Sequence, residues 1–193
     1  MSAVATDSAL RVGFNGKKIH LLRHGQAIHN VQRGYPFRDP PLTDQGLAEA
    51  RAVSLDFQPD LVICSPMNRT INTALAVLPD LLSQSAVEIW PDMREAHDAI
   101  CNKGVSRAEL SAAFPDLDFS RCNEEWDYED HSHDAATRRA ERVRTVLAER
   151  SEQNILLVGH RGFIDYLVAG PQFANCELRS YRFGPDNTLV KIS

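Results

Sequence analysis

Arg23 and His24 stand side by side where an apolar run, residues 19–22, gives way to Gly25. His160 and Arg161 repeat the arrangement after residues 155–158, between Gly159 and Gly162. An imidazole beside a guanidinium at the end of a strand suits an anionic substrate attacked by nitrogen. Arg69 adds a cation shortly after a third apolar run, residues 61–64, and Arg94-Glu95-Ala96-His97-Asp98 supplies carboxylates after a fourth. In an open α/β sheet, ligands bind outside the carboxyl ends of the strands, the edge at which all these residues fall. Two histidines and two or three arginines converging there, with helix N-termini, fit a phosphoryl group, because the guanidinium fork matches phosphate oxygens. Neutral imidazole is a competent nucleophile toward phosphorus and would give a phosphohistidine. Charge repulsion from the arginines favours neutral His24.

The strands that must deliver these residues are read at 18–22, 61–64, 87–90, 155–158 and 188–192, with a weaker run at 178–183. Helical patterns lie between most of them. Thr43 is placed to cap a helix over 44–55. Ser65 offers a capping hydroxyl ahead of Pro66, and Met67, Ile71, Ala74, Leu75 and Leu78 form one face of the helix that follows, ended by Pro79. Asp134 caps a third helix with Ala136, Ala140, Val143 and Leu147 as its buried stripe, and a fourth runs over 162–169 to Gly170-Pro171. Strands alternating with helices predict an α/β fold, a three-layer α/β/α sandwich around a mainly parallel sheet. Residues 92–133 are polar and aromatic, with Trp126, Tyr128 and a short helix near 106–114; they read as an insertion covering the active site. No repeat or linker divides the chain, so residues 1–193 are read as a single domain.

A chain of 193 residues, 43% hydrophobic, can bury one sizeable core. A formal net charge of −5 argues against a nucleic-acid partner. The basic cluster Arg138, Arg139, Arg142 and Arg144 shares its helical pattern with Glu141 and Glu149 and reads as a solvated face. No apolar run approaches the ~20 residues that cross a bilayer, and residues 1–13 lack the apolar core of a secretory leader. Cys64, Cys101, Cys122 and Cys176 form no disulfide framework, which fits a reducing compartment. The expectation is a soluble, cytoplasmic protein with no membrane partner. Oligomeric state is not legible here.

Five ordered segments carry a resemblance. They are Leu22-Arg23-His24-Gly25; Asp39-Pro40-Pro41-Leu42-Thr43 with Gly46; Ser65-Pro66-Met67-Asn68-Arg69-Thr70 with Thr73-Ala74; Arg94-Glu95; and Val158-Gly159-His160. In this order and spacing the chain resembles the histidine phosphatase superfamily, in its phosphoglycerate-mutase-like branch with the RHG motif. The resemblance implies that His24 is the phosphorylated nucleophile, and that Arg23, Arg69 and His160 hold the phosphoryl oxygens. Asn30 stands where the family often has a polar phosphate-pocket residue. Glu95 would protonate the leaving alkoxide and then activate water, with Glu88, Asp92 and Asp98 as nearby alternatives. The implied partner is a small-molecule phosphomonoester, with neither metal nor organic cofactor.

Hydrolysis is preferred to mutase chemistry because the mutases of the family are longer, and because Gln26-Ala27-Ile28-His29-Asn30 departs from their pattern after RHG. A phosphoglycerate-type mutase, a non-catalytic phospho-ligand binder and a pocket redirected to non-phosphate acid–base chemistry are the alternatives. Within residues 92–133, Arg94, Asn102, Lys103, Arg107, Arg121, Trp126 and Tyr128 are candidates to read the leaving group, their charges hinting at a second anionic group on the substrate. His97 with Asp98 could touch substrate or belong to the cover. His131-Ser132-His133-Asp134 reads as a loop leading into a helix cap, without the separated partners a metal site needs. A neutral His24 with a protonated Glu95 predicts a bell-shaped rate peaking on the acid side.

Overall fold

The computed structural model describes residues 16–127 and 130–192. The leader reading of residues 1–13 and the assignment of Tyr128 lie outside the described residues.

Six strands, β1 (Lys18–Arg23), β2 (Leu61–Cys64), β3 (Ala86–Ile89), β4 (Asn154–Gly159), β5 (Leu178–Phe183) and β6 (Leu189–Lys191), form one sheet in the order β3-β2-β4-β1-β5-β6. β3, β2, β4 and β1 pair in parallel, and β5 and β6 extend the sheet antiparallel. The helices are α1 (Ile28–Val31), α2 (Asp44–Ala52), α3 (Asn68–Val77), α4 (Leu81–Gln84), α5 (Arg107–Ala113), α6 (His133–Glu149) and α7 (Arg161–Leu167).

The period of two along each strand splits the core. Ile19, Leu21, Leu61, Ile63, Ile155 and Leu157 face one way and pack with Ala136, Ala140, Val143 and Leu147 of α6 and Phe163 and Ile164 of α7. Leu22, Val62, Cys64, Leu156 and Val158 face the other way and pack with Met67, Ile71 and Ala74 around α3. Both faces of the parallel strands are covered, which is why those strands read as continuous apolar runs. The α/β/α sandwich is therefore the observed architecture. The segment from residue 92 to 133 does not stand clear of it, since Leu110, Phe119, Cys122 and Trp126 join the second cluster.

Several helix starts differ from expectation. Thr43 caps α2 as read, accepting from Gly46 N at 3.0 Å, but the helix ends at Ala52. α3 begins at Asn68 behind Met67, without a side-chain cap; the Ser65 hydroxyl contacts His160 Nε2 at 2.9 Å and accepts from Met67 N at 3.5 Å. Ser132, not Asp134, caps α6 by accepting from Ala135 N at 3.1 Å. Arg139 is no part of a solvated face: it is 3% exposed and points inward. α1 and α4, four residues each, carry no sequence period long enough to read.

The register explains the convergence. Arg23 pairs with Gly159 and Cys64 with Val158, so the residues just beyond these strand ends meet. His24 N donates to Gly159 O at 3.0 Å and Ser65 N to Val158 O at 3.1 Å.

Candidate active site

His24 leaves β1 into a turn that crosses the start of α2. A Cβ on Gly25 would strike the Gly46 carbonyl, and one on Gly46 would collide with the backbone of Gln26. Two glycines thus let the chains cross at van der Waals distance and fix where the imidazole emerges. His24 is 2% exposed, and its Nδ1 donates to Gly25 O at 2.7 Å. A carbonyl only accepts, so the hydrogen sits on Nδ1 and Nε2 keeps its lone pair. Burial, then Arg69 and Arg23, holds its pKa well below the ordinary value of 6.5. Burial outweighs the arginine charges as the cause.

The His160 ring lies 5.2 Å from the His24 ring, centroid to centroid. Its Nε2 meets the Ser65 hydroxyl at 2.9 Å, while Nδ1 is buried without a partner. Arg23 donates through Nη1 to Phe173 O at 2.8 Å, leaving Nε buried and unpartnered. Arg69 is fully buried. Its Nη1 donates to Cys101 O and its Nη2 to Asn102 Oδ1, both at 3.0 Å, and Asp39 lies 3.9 Å away. Asp39 in turn accepts from Asn68 N, tying the first turn of α3 to this loop. Burial raises the Asp39 carboxyl to about 6, against the pull of Arg69 and Asn68.

Glu95 is 9% exposed. Its Oε1 accepts from Ala96 N at 2.7 Å and its Oε2 from Gly162 N at 3.2 Å. Burial pushes its pKa up, but His97, the two amides and Arg69 together outweigh burial and leave it below the ordinary carboxylate value. These contacts favour the ionised carboxylate of Glu95. The backbone beneath Glu95 is gripped from α6: Arg139 donates to Asp92 O at 3.0 Å and Arg94 O at 2.9 Å, with its guanidinium 4.5 Å from the centre of the Phe163 ring.

A cavity of about 510 Å³ opens over these groups, lined by Arg23, His24, His29, Asn30, Glu95, His97, Asn102, Arg161 and Asn175. Of the residues expected from sequence, Arg23, His24, Asn30 and Glu95 reach this wall; Arg69 and His160 lie fully buried and outside the lining set. Asn30 is partly committed. Its Oδ1 accepts from Ala27 N at 2.9 Å, so its amide nitrogen faces His29 Nε2 at 3.1 Å and fixes the hydrogen of that ring on Nδ1. Asn175, which donates to His24 O at 2.9 Å, and His29 were not singled out from sequence. His29 follows an apolar residue in an unremarkable pattern, and Asn175 is distant in the chain.

The charges expected to read the leaving group are spent elsewhere. Lys103 pairs with Asp98 at 3.0 Å, Arg107 with Glu124 at 3.4 Å and Arg121 with Glu88 at 2.9 Å, while Arg94 is buried near Asp127. Among the described members of that set, only Asn102 lines the cavity. The exposed cation on its wall is Arg161, which makes no hydrogen bond or ion pair with the described residues. His131 and His133 are engaged with Lys103 and Tyr166, consistent with a loop entering a helix.

The model of the histidine phosphatase superfamily, branch 1, matches residues 19–192. The chain belongs to that family. An adenosylcobalamin/alpha-ribazole phosphatase of Escherichia coli is 30% identical over 163 residues, covering 79% of this chain and 77% of that protein. A probable phosphatase of Schizosaccharomyces pombe is 29% identical over 118 residues, 56% of this chain and 55% of that protein, so the match spans about half of that relative. Among solved structures, phosphoserine phosphatase of Entamoeba histolytica in complex with 3-phosphoglyceric acid superposes with a TM-score of 0.62 at 20% identity, over 92% of this chain and 95% of that one. This last likeness is one of fold.

Proposed function

We propose that the protein hydrolyses a small-molecule phosphomonoester through a phosphohistidine on His24. The observation that carries this reading is a set of buried, unpartnered nitrogens on residues beside His24: Arg23 Nε, His29 Nδ1, Arg69 Nε and His160 Nδ1. Buried donors without acceptors are costly, each about 1–3 kcal/mol, and a phosphoryl group brings the oxygens that satisfy them. His24 Nε2 attacks phosphorus as the ester P–O bond breaks, and the cationic and N–H donors take up the charge that develops. Glu95 protonates the departing oxygen, and later removes a proton from the water that attacks the phosphohistidine. Asn30 positions His29 and keeps a second amide hydrogen for the substrate.

Membership of the family and the phosphatases among its relatives support phosphatase over mutase chemistry. A purely binding role leaves Glu95 without use. Residues 92–133, through Glu95, His97 and Asn102, form one wall of the site as an integral cover, and residues 1–193 act as one domain. The chain works in the cytoplasm; among the described residues no helix is long and apolar enough to cross a membrane.

The test is phosphate release from a panel of phosphomonoesters by wild type and His24→Ala in parallel. Release by wild type alone is expected; release by His24→Ala would contradict the role of His24. The panel also locates the second anionic group. Arg161→Gln is expected to raise KM for esters bearing a carboxylate or second phosphate by roughly tenfold, the scale of one ~1.4 kcal/mol contact, while sparing neutral esters. Equal effects on both would remove Arg161 as a reader of charge.

A further inference from the structure

The Glu95 side chain is nearly buried, and its contacts favour the ionised form, yet the reaction consumes a proton there. His97 is the group placed to supply it. Its Nδ1 lies 3.8 Å from Glu95 Oε1, and its side chain is 69% exposed against 12% for that of Glu95. One end of the pair thus meets bulk water and the other the cavity, since both residues line it. The pair is also seated by the fold. A Cβ on Gly162 would collide with both His97 Nδ1 and Glu95 Oε1, so the second residue of α7 is a glycine where the imidazole and carboxylate press against the helix. The backbone of His97 is anchored as well: Asn102 Nδ2 donates to His97 O at 3.0 Å, and Asn102 itself accepts from Arg69.

We infer that His97 is the proton-supplying partner of Glu95, carrying a proton from solvent to the carboxylate that protonates the leaving group. This rests on the hydrolytic reading of the site. In the first half-reaction the His97 Nδ1–H proton passes to Glu95 and from Glu95 to the ester oxygen. The P–O bond breaks with its electron pair on that oxygen, and the bond from His24 Nε2 to phosphorus forms. The products are a neutral alcohol, a phosphohistidine, ionised Glu95 and neutral His97. In the second, Glu95 takes a proton from water as its oxygen attacks phosphorus, the Nε2–P bond breaks, and the proton returns to His97.

The surrounding charges suit this traffic. Glu95, Arg161 and Asp165 face His97, and its pKa is raised, chiefly by Glu95. Glu95 is faced by His97, by Arg69 from α3 and by the Ala96 and Gly162 amides, while the Arg139 guanidinium of α6 lies against its backbone. The imidazole therefore holds a proton more readily than an ordinary histidine, and the carboxylate less readily than an ordinary glutamate.

The test is the pH profile of kcat/KM for His97→Gln and His97→Ala, with an alkyl phosphate and with p-nitrophenyl phosphate. Gln keeps an N–H donor beside Glu95 but cannot carry the proton. Without His97, the proton must enter on the substrate, whose second ionisation lies near pH 6. Both variants are expected to approach wild type at about pH 5.5 and to lose roughly tenfold or more by about pH 8 on the alkyl ester. p-Nitrophenyl phosphate, which leaves without protonation, is expected to show little loss at either pH. Profiles superimposed on wild type would overturn the inference, as would a loss equal at all pH values and for both esters, or rescue by Gln. An unaltered enzyme that releases no phosphate from any ester would overturn the hydrolytic reading itself, a result read from wild type alone.

Discussion

At the scale of single residues, the site is governed by which nitrogen carries a hydrogen. Gly25 O holds the His24 hydrogen on Nδ1, and burial keeps the ring neutral, so Nε2 is nucleophilic without a base beside it. Ser65 does comparable work for His160. It receives Met67 N at 3.5 Å, its own hydrogen can go to His160 Nε2, and the His160 hydrogen then sits on the buried Nδ1. Ser65→Ala is expected to lose about 1–3 kcal/mol of stability from the stranded Nε2, with a fall in kcat larger than any rise in KM. Unchanged kcat would show that the His160 tautomer does not matter. From sequence Ser65 read as a helix cap, because a hydroxyl ahead of proline serves equally well there. Nothing local reveals that a histidine almost a hundred residues away arrives within reach. Arg23, His24, Arg69 and His160 were legible because motif and strand end coincide. Arg139 was not, since its neighbours Arg138 and Arg142 are exposed and a helical charge pattern does not say which arginine turns inward.

At the scale of elements, parallel pairing of β1 with β4 and β2 with β4 brings three strand ends to one place, and α6 sets the depth of Glu95. The apolar runs were enough to read all six strands to within one residue at each end, because burial on both faces leaves few polar interruptions in β1, β2 and β4. The ends of α2 and α3 were less legible, since competing partners for Ser65 and the chain reversal after Ala52 override local propensity. Arg139→Met is expected to strand the Asp92 and Arg94 carbonyls, lowering the unfolding free energy by about 1–3 kcal/mol. It should also lower turnover of alkyl phosphates more than of aryl phosphates, because a displaced Glu95 matters only where the leaving oxygen needs a proton. Equal turnover losses on the two ester types would separate α6 from the acid.

At the scale of the whole molecule, the cavity of the proposed site is polar and not the most voluminous hollow. A groove of about 570 Å³ between Trp90–Asp92 and α6 is larger, but its Arg121, Arg138 and Arg142 are paired with Glu88, Asp130 and Asp92. What marks the proposed site is the set of buried, unpartnered nitrogens of Arg23, His29, Arg69 and His160 beside His24, which only the folded chain assembles. The pH behaviour follows from the directions found there. With the His24 pKa well below 6.5, its neutral form persists as pH falls through that value, so acidification to about pH 5.5 is expected to spare kcat/KM on alkyl esters. The alkaline side should fall as the proton needed by the leaving group is lost. A rate rising steadily to about pH 9 would remove Glu95 as the acid.

The most direct test of phosphoryl transfer through His24 is to quench wild type and His24→Ala during turnover of a phosphomonoester labelled in its phosphate. Wild type should carry a protein-bound label that survives alkali and is lost in acid, the behaviour of a phosphoramidate, located on the peptide containing His24. His24→Ala should carry none. Turnover by wild type without any such label under rapid quenching, or an equal label on His24→Ala, would contradict the covalent route.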